Sequence, residues 1–556
     1  MMSSKFIRTS IISLLAVFVI VYIGIQLTSK KAPINEQNAE ERLNELYAGI
    51  TVNQVSPVKG EIDLSPADVG QSLPDIAKFP LTTTHSSDHY VEIFSSTEKA
   101  GKGVDGWLTE VATAFNQANI QVDGSVASVD VRNIASGTAA DYIVSGKYVP
   151  DAFAPSNELW GEIIKNAGIK ATIISPRLVG NTAGIVISKS KRDSLVSKYG
   201  KLNSKTIAEA VIKGDLVMGY TDPFTSSTGL NFLVSAINQF DSDPLSEKSM
   251  KTFEEFQAHI PFTASTTLQI REATKSGKLD AFVLEYQTYV NADDLKNDYE
   301  YIPIGVRHDN PLYALGELPA EKRKILTAFA DFAREKQNQQ LANDKGFNQF
   351  NDYQSEYQLP GGKFLSDAQQ LWKQKKNGNR AVSAVFVADV SGSMEGEPIA
   401  KLRESLIQGQ KYLGKDNRIG LISYSNEVNV NLPINTYTID QQGLFVGAAN
   451  SLTEGGRTAT FDAIVVALKM LADDKKANPN IKPLIFVLSD GETNTGTDIS
   501  AVEELLRVYK IPVYTIGYNA DIQALKTISD INEASSINAY TDDVIYKIRN
   551  LLNSQM

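Results

Sequence analysis

The chain has 556 residues, 42% of them hydrophobic and 21% charged, an ordinary globular balance in a length that suits roughly two to four domains. Its net charge of −11 argues against a nucleic-acid binder, which presents a basic face to phosphates. The absence of cysteine excludes disulfides, thiolate metal sites, cysteine nucleophiles and lipid attachment through an N-terminal cysteine. His85 and His89 stand four apart, but in a Ser/Thr-rich stretch rather than on an apolar helix, which argues against a histidine zinc site.

From Thr9 to Ser29 no residue is charged, and Ile11 to Leu27 is almost wholly aliphatic. An uncharged span of about 20 residues has the length of a membrane-crossing helix. A cleaved signal peptide would carry an apolar region of about 7–15 residues and a small-x-small cleavage site, which the ending Leu27-Thr28-Ser29-Lys30-Lys31 does not offer. The expectation is a retained single-pass anchor at 9–29, with residues 1–8 cytoplasmic and the following domains outside the cytoplasm. Residues 30–87 read as a tether. After a short polar helix from Asn35 to Tyr47, the residues Pro57, Pro66, Pro74, Pro80 and Thr82-Thr83-Thr84 favour extended chain over a packed core.

From 88 to 358 strands and helices alternate. Tyr90 to Phe94 is a predicted strand, and Asp105 to Gln117 a helix with Trp107, Leu108, Val111 and Phe115 at helical spacing. Gln121 to Val126 follows as a strand, Val131 to Val144 as a helix, then Asp151 to Ala154, Ala183 to Ser188 and Leu216 to Tyr220 as strands. Such alternation predicts an α/β architecture with a mainly parallel sheet. Ser226, Ser227 and Thr228 stand where a strand gives way to an apolar helix, so their hydroxyls and the free N–H groups make an anion or polar-ligand cradle; plain N-capping would use the same residues.

This region resembles a type II periplasmic solute-binding protein, with two α/β lobes closing on a ligand. The stretches that carry the resemblance are Ile93-Phe94-Ser95-Ser96-Thr97-Glu98-Lys99, Asp151-Ala152-Phe153-Ala154-Pro155-Ser156-Asn157, Asp222 to Gly229, and Lys278 to Glu285. A late helix from Pro319 to Gln337 fits the end of that fold. The resemblance implies that Ser95, Ser96, Thr97, Ser226, Ser227 and Thr228 hold a small solute or oxyanion. The strongly basic groups that some members use for oxyanions are not evident.

Residues 359–380 read as a polar linker, and 381–553 as a second α/β domain. Val382 to Ala388 is a buried strand ending at Asp389-Val390-Ser391-Gly392-Ser393. Pro398 to Leu413 is an amphipathic helix. Ile419 to Tyr424 and Val428 to Pro433 are strands, the latter at an edge. Gly455-Gly456-Arg457-Thr458 precedes a helix from Phe461 to Leu471. Leu484 to Leu488 is an apolar strand ending at Ser489-Asp490-Gly491, and Val513 to Ile516 another. In a doubly wound sheet the turn after Asp389, the Gly455–Thr458 turn and the turn after Ser489 all fall on one edge, at strand C-terminal ends. Two carboxylates meeting there repel unless a cation lies between them, and hard oxygens at one point suit Mg²⁺.

Asp-x-Ser-x-Ser, a later threonine and then Asp-Gly, each on these elements, resemble a von Willebrand factor A (VWA) domain with its metal-ion-dependent adhesion site. The resemblance implies a doubly wound, Rossmann-like fold, with Ser391, Ser393 and Thr458 offering hydroxyls to the metal and Asp389 and Asp490 acting directly or through water. It also implies Mg²⁺, with Mn²⁺ or Ca²⁺ as substitutes, and an open position filled by a partner protein's carboxylate. The expectation is a non-enzymatic, membrane-anchored binding protein with a solute-binding-like module. Two alternatives stand beside it. One is a solute-binding component of a transport or sensing system. The other is metal-assisted phosphoryl transfer at Asp389, which the absence of a phosphate-binding Gly-Lys-Thr loop disfavours.

Overall fold

The computed structural model describes residues 33–65, 67–261, 263–264, 270, 279–518, 522–531, 536–539 and 543–556. The apolar span expected to anchor the chain at 9–29 lies outside them. Among the described residues no helix is long and apolar enough to cross a membrane.

The C-terminal unit is built on a 7-stranded sheet. Its order is Val52–Gln54, Val428–Thr436, Arg418–Tyr424, Ala381–Asp389, Ile481–Ser489, Val513–Tyr518 and Ser536–Ala539. The central strands are parallel, and Val428–Thr436 runs antiparallel to Arg418–Tyr424. Side chains of Ala381–Asp389 alternate between two cores. Ala384, Phe386 and Ala388 pack with the helices Glu397–Gly409, Ile439–Asn450 and Val544–Gln555, whereas Val385 and Val387 pack with Thr460–Ala477 and Ile499–Tyr509. Burial on both faces explains why these strands read as unbroken apolar runs. The sheet is doubly wound, as expected.

The middle region forms two lobes. One holds the strand path Leu81–Thr83, Ser125–Asn133, His89–Ser95, Ala152–Ala154, Leu312–Leu315 and Ala171–Ser175; the other holds Thr263–Ala264, Met218–Thr221, Ala281–Glu285, Asn181–Ser188 and Tyr299–His308. The strands change lobe after Ser175 and after His308, and the chain returns to the second lobe near Glu356, which accepts from Ser204 Oγ at 2.7 Å and Gly305 N–H at 2.8 Å. The lobes meet closely. Gly137 N–H donates to the Thr225 carbonyl at 3.2 Å, and a Cβ at Gly137 would lie 2.2 Å from the Phe224 carbonyl oxygen.

Three expectations are corrected. The segment 30–87 is packed in its described part rather than a loose tether. The helix Ala39–Ala48 buries Leu43 against the helix Thr460–Ala477, which stabilises by about 1.5–3 kcal/mol. Val52–Gln54 then pairs with Val428 to Val430, and Leu81–Thr83 joins the first lobe. Prolines do not prevent this, because edge strands and turns accept them. The helix expected from Val131 is displaced. Ser125–Asn133 is a strand, and the helix spans Ser136–Ser145, because Val129 and Val131 are wanted in a sheet core. The linker 359–380 contains the helix Gly362–Lys375, with Leu365, Ala368, Leu371 and Trp372 buried; its apolar positions at i, i+3, i+6 and i+7 make one face.

Candidate metal centre and interlobe cavity

The three turns expected to converge in the C-terminal unit are tied to one another. Gly392 N–H donates to the Gly456 carbonyl at 3.0 Å, and Gly455 N–H to the Val390 carbonyl at 2.8 Å. Gly455 and Gly456 have φ of 148° and 91°, a backbone that side chains other than glycine's resist. The Ser391 and Ser393 hydroxyls lie 3.0 Å apart, and Ser393 Oγ donates to Asp490 Oδ1 at 2.8 Å. Asp389 is fully buried. Its Oδ1 accepts from the Ser391 N–H at 2.8 Å, and its Oδ2 from Ser489 Oγ at 2.5 Å and Tyr424 OH at 3.2 Å. Thr458 is buried, held by its N–H to Asn494 Oδ1 at 3.0 Å.

Burial pushes the Asp389 carboxyl above its usual range, and the charge of Asp490 adds to this, while hydroxyls of Ser391 and Ser489 oppose it. Among the described residues no Lys or Arg forms an ion pair with Asp389 or Asp490. A buried carboxylate facing a second one, with hydroxyls between them and no cationic side chain, is a donor set that fits a hard divalent cation. Among the described residues no group of three or more His, Asp or Glu could hold a metal, so a cation here would rest on hydroxyls as much as on carboxylates. Ser489, Tyr424 and Asn494 were not singled out from the sequence. Ser489 could have been, since it precedes Asp490 at a strand end.

Between the two lobes lies a cavity of about 410 Å³. Of the six hydroxyl residues expected there, Thr97, Ser226, Ser227 and Thr228 line it, and Ser95 and Ser96 do not. The Ser95 hydroxyl is buried without a hydrogen-bond partner among the described residues. Ser96 is turned to Glu98 and Lys99, donating to the first and accepting from the second. Ser226 caps its helix through Gly229 N–H at 3.2 Å, and Ser227 Oγ accepts from Trp160 Nε1 at 2.8 Å across the lobes.

A buried charge network backs the cavity. Lys99 is fully buried, 3.6 Å from Glu98 Oε1, and burial holds its ammonium below the usual range against the pull of Glu98 and Glu285. Burial alone would raise Glu98, but Lys99 and the hydroxyls of Ser156 and Ser96 outweigh it and hold the carboxyl low. Glu285 is raised by burial and by the charge of Glu98. It accepts from Asn181 Nδ2 at 2.6 Å and lies 3.0 Å from His308 Nδ1. Glu98 and Lys99 are neighbours in the chain, whereas Glu285 meets Asn181 and His308 from distant segments, pairings that local spacing does not announce.

The cavity has a third wall. Tyr546, Lys547, Asn550 and Leu551 of the C-terminal helix line it. Tyr546 OH lies 2.6 Å from Thr138 Oγ1, and Arg549 pairs with Asp141 at 2.6 Å and donates to Ser72 Oγ at 2.9 Å.

The model of the von Willebrand factor type A domain family matches residues 384–552. The C-terminal unit is a VWA domain. The model of bacterial extracellular solute-binding proteins matches residues 100–348, the two-lobed unit. Among curated proteins, the chain is 25% identical over 171 residues to inter-alpha-trypsin inhibitor heavy chain H3 of Mesocricetus auratus, covering 28% of this chain and 19% of that protein. It is 25% identical over 150 residues to the collagen alpha-6(VI) chain of Mus musculus, covering 26% of this chain and 6% of that one. The matches thus span under a fifth of these relatives' lengths. Among solved structures, the sulfate-binding protein SubI from Mycobacterium tuberculosis H37Rv is similar at 13% identity and a TM-score of 0.33, covering 46% of this chain and 86% of that one. The VWA and solute-binding domains give the chain a binding role.

Proposed function

We propose that the chain is a membrane-anchored, extracytoplasmic binding protein whose VWA domain docks an acidic residue of a partner protein through Mg²⁺. Ser391, Ser393 and Thr458 would hold the ion with their hydroxyls, and Asp389 and Asp490 would fix it directly or through water. The cation supplies a Lewis-acidic position that an outside carboxylate can fill. The observation that carries this reading is the buried Asp389 carboxyl, ringed by hydroxyls and facing Asp490 with no described cationic side chain to balance it. The chain's own residues do the orienting. Ser489 and Tyr424 fix Asp389, Asn494 fixes the Thr458 turn, and Gly455 lets that turn reach Val390. The two-lobed domain is proposed to hold a small polar solute in the interlobe cavity, met by hydroxyls of Thr97, Ser226, Ser227 and Thr228.

Mg²⁺ titration of the full chain, followed by thermal unfolding, tests the metal reading. Binding to the folded state alone should stabilise by about 2.7 kcal/mol when free Mg²⁺ is a hundred times the dissociation constant. Thr458→Ala should remove that response while leaving the circular dichroism spectrum unchanged. A wild-type protein indifferent to Mg²⁺ and Mn²⁺ would sink the assignment.

A further inference from the structure

At the opposite end of the VWA sheet, where strands Ala381–Asp389, Ile481–Ser489 and Val513–Tyr518 begin, there is an open pocket of about 610 Å³. It lies roughly 26 Å from the metal candidate, eight steps along one strand at about 3.3 Å per residue. Its polar wall is cationic: Arg380, Lys475, Lys476, Lys482 and Lys510 line it, with Glu40 as the one acidic residue. Glu40 is taken by Lys476. Ile260 and Pro261 of the solute-binding domain and Ile511 and Pro512 of the VWA domain give it apolar sides, so the pocket sits at the junction of the two domains.

Among the described residues, three of these cations donate to neutral acceptors alone. Arg380 Nε donates to the Asn377 carbonyl at 3.3 Å, Lys482 Nζ to Asn377 Oδ1 at 3.3 Å, and Lys475 Nζ to the Ile481 carbonyl at 2.7 Å. Among the described residues no carboxylate forms an ion pair with any of the three. Their crowding leaves a mark. Burial pushes Lys482 down to about 8, with the charge of Arg380 adding to it; burial and Arg380 also lower Lys475, and burial lowers Arg380 itself. Like charges brought together against burial are the arrangement that a bound counter-ion relieves. In a chain of net charge −11, a positive basin with low-dielectric walls draws anions locally.

We propose that this pocket binds a small multivalent oxyanion group, phosphoryl or polycarboxylate, held by Arg380, Lys475 and Lys482 at the junction of the solute-binding and VWA domains. The Arg380 fork suits paired oxygens of either kind, and the two lysines add point charge. The site is independent of the metal-docking reading and shares no residue with it.

Thermal unfolding of the full chain in metal-free buffer, with inorganic phosphate, pyrophosphate or citrate against sodium chloride of equal ionic strength, tests the proposal. Metal is removed beforehand by chelating resin, which keeps magnesium chemistry out of the readout and leaves no polycarboxylate chelator to compete. At least one of the three anions should raise Tm saturably beyond chloride. A response to phosphate and pyrophosphate alone assigns a phosphoryl group, and one that includes citrate assigns multivalent oxyanions generally. Arg380→Gln and Lys482→Met should each weaken the apparent affinity about tenfold, the loss expected for one charged hydrogen bond. Lys324→Met, which removes an exposed cation paired with Asp123 at 2.6 Å, should leave the response unchanged. Lys482→Met also checks the electrostatic premise without ligand, because removing an uncompensated cation should raise Tm of the anion-free protein. The proposal is overturned if none of the three anions acts beyond chloride, or if Lys482→Met responds like the wild type.

Discussion

Ser489→Ala isolates the residue that aims Asp389. Both side chains are fully buried, and Ser489 Oγ donates to Asp389 Oδ2 at 2.5 Å. The substitution removes one oxygen and leaves that carboxylate oxygen with Tyr424 OH at 3.2 Å. A hydrogen bond to a charged group contributes about 1.5–3 kcal/mol, and the loss falls on a group that water cannot reach, so unfolding free energy in chelator should drop by about 2 kcal/mol. The same change should weaken Mg²⁺ binding about 10- to 100-fold, as losing the partner of a ligating carboxylate does. Urea unfolding in chelator reads the first quantity and isothermal titration with Mg²⁺ the second. A variant as stable as the wild type that binds Mg²⁺ equally well would refute the claim that Ser489 positions Asp389. A loss of stability with unchanged Mg²⁺ affinity would make the Ser489 bond purely structural.

The Tyr546–Thr138 contact predicts a coupling between domains. Tyr546→Phe or Thr138→Val alone strands a buried hydroxyl, and a double-mutant cycle on unfolding should return about 0.5–1.5 kcal/mol; a value of zero would mean that the helix does not rest on this bond. Asp222 predicts a pH dependence. Burial raises its carboxyl to about 6, against the lowering effect of the Phe224 N–H and of Lys376, and its Oδ2 is buried without a partner among the described residues. Its folded value exceeds its unfolded one, so its favourable contribution is full below pH 4 and lost as pH rises to about 6, a change of about 3 kcal/mol. Asp222→Asn should flatten the urea midpoint across that window and raise it at neutral pH; an unchanged pH profile would contradict the burial argument.

The parts of the fold legible in the sequence are those where burial is two-sided or the motif is local. Val382 to Ala388 and Leu484 to Leu488 read as strands because both faces meet helices, and the Asp389 turn and the Thr458 loop were visible as oxygen donors after apolar elements. Segments of mixed character were misread. Gly362–Lys375 looks like a lysine-rich connector, yet Leu371 and Trp372 are buried, and Gly362 fits where a Cβ would lie 2.0 Å from the Glu162 carbonyl oxygen. Ser125–Asn133 carries Asp130 and Arg132 inside the sheet, both buried, Asp130 receiving His85 and Arg132 pairing with Glu92 at 2.7 Å. At the interlobe cavity the conspicuous hydroxyls of Ser95 and Ser96 turned away, and the Glu98–Lys99 and Glu285–His308 pairs took the inner positions. Tertiary partners decide such choices, and they leave no trace in local spacing.

The order in which the chain visits its domains has a mechanical consequence. Val52–Gln54 is laid on the edge of the VWA sheet, and Gly60 is fixed by its N–H to the Gly443 carbonyl at 2.8 Å, before the two-lobed unit begins. The lobes are therefore spliced into the VWA unit rather than strung ahead of it. A load entering at residue 33 and leaving through a molecule held near Asp389 runs through this strand edge and the adjoining sheet. The interlobe cavity lies off that path, so tension on the chain need not pull the lobes apart. A fragment cut to residues 384–552 would lose the strand that covers Val428 to Val430 and bare an unpaired edge.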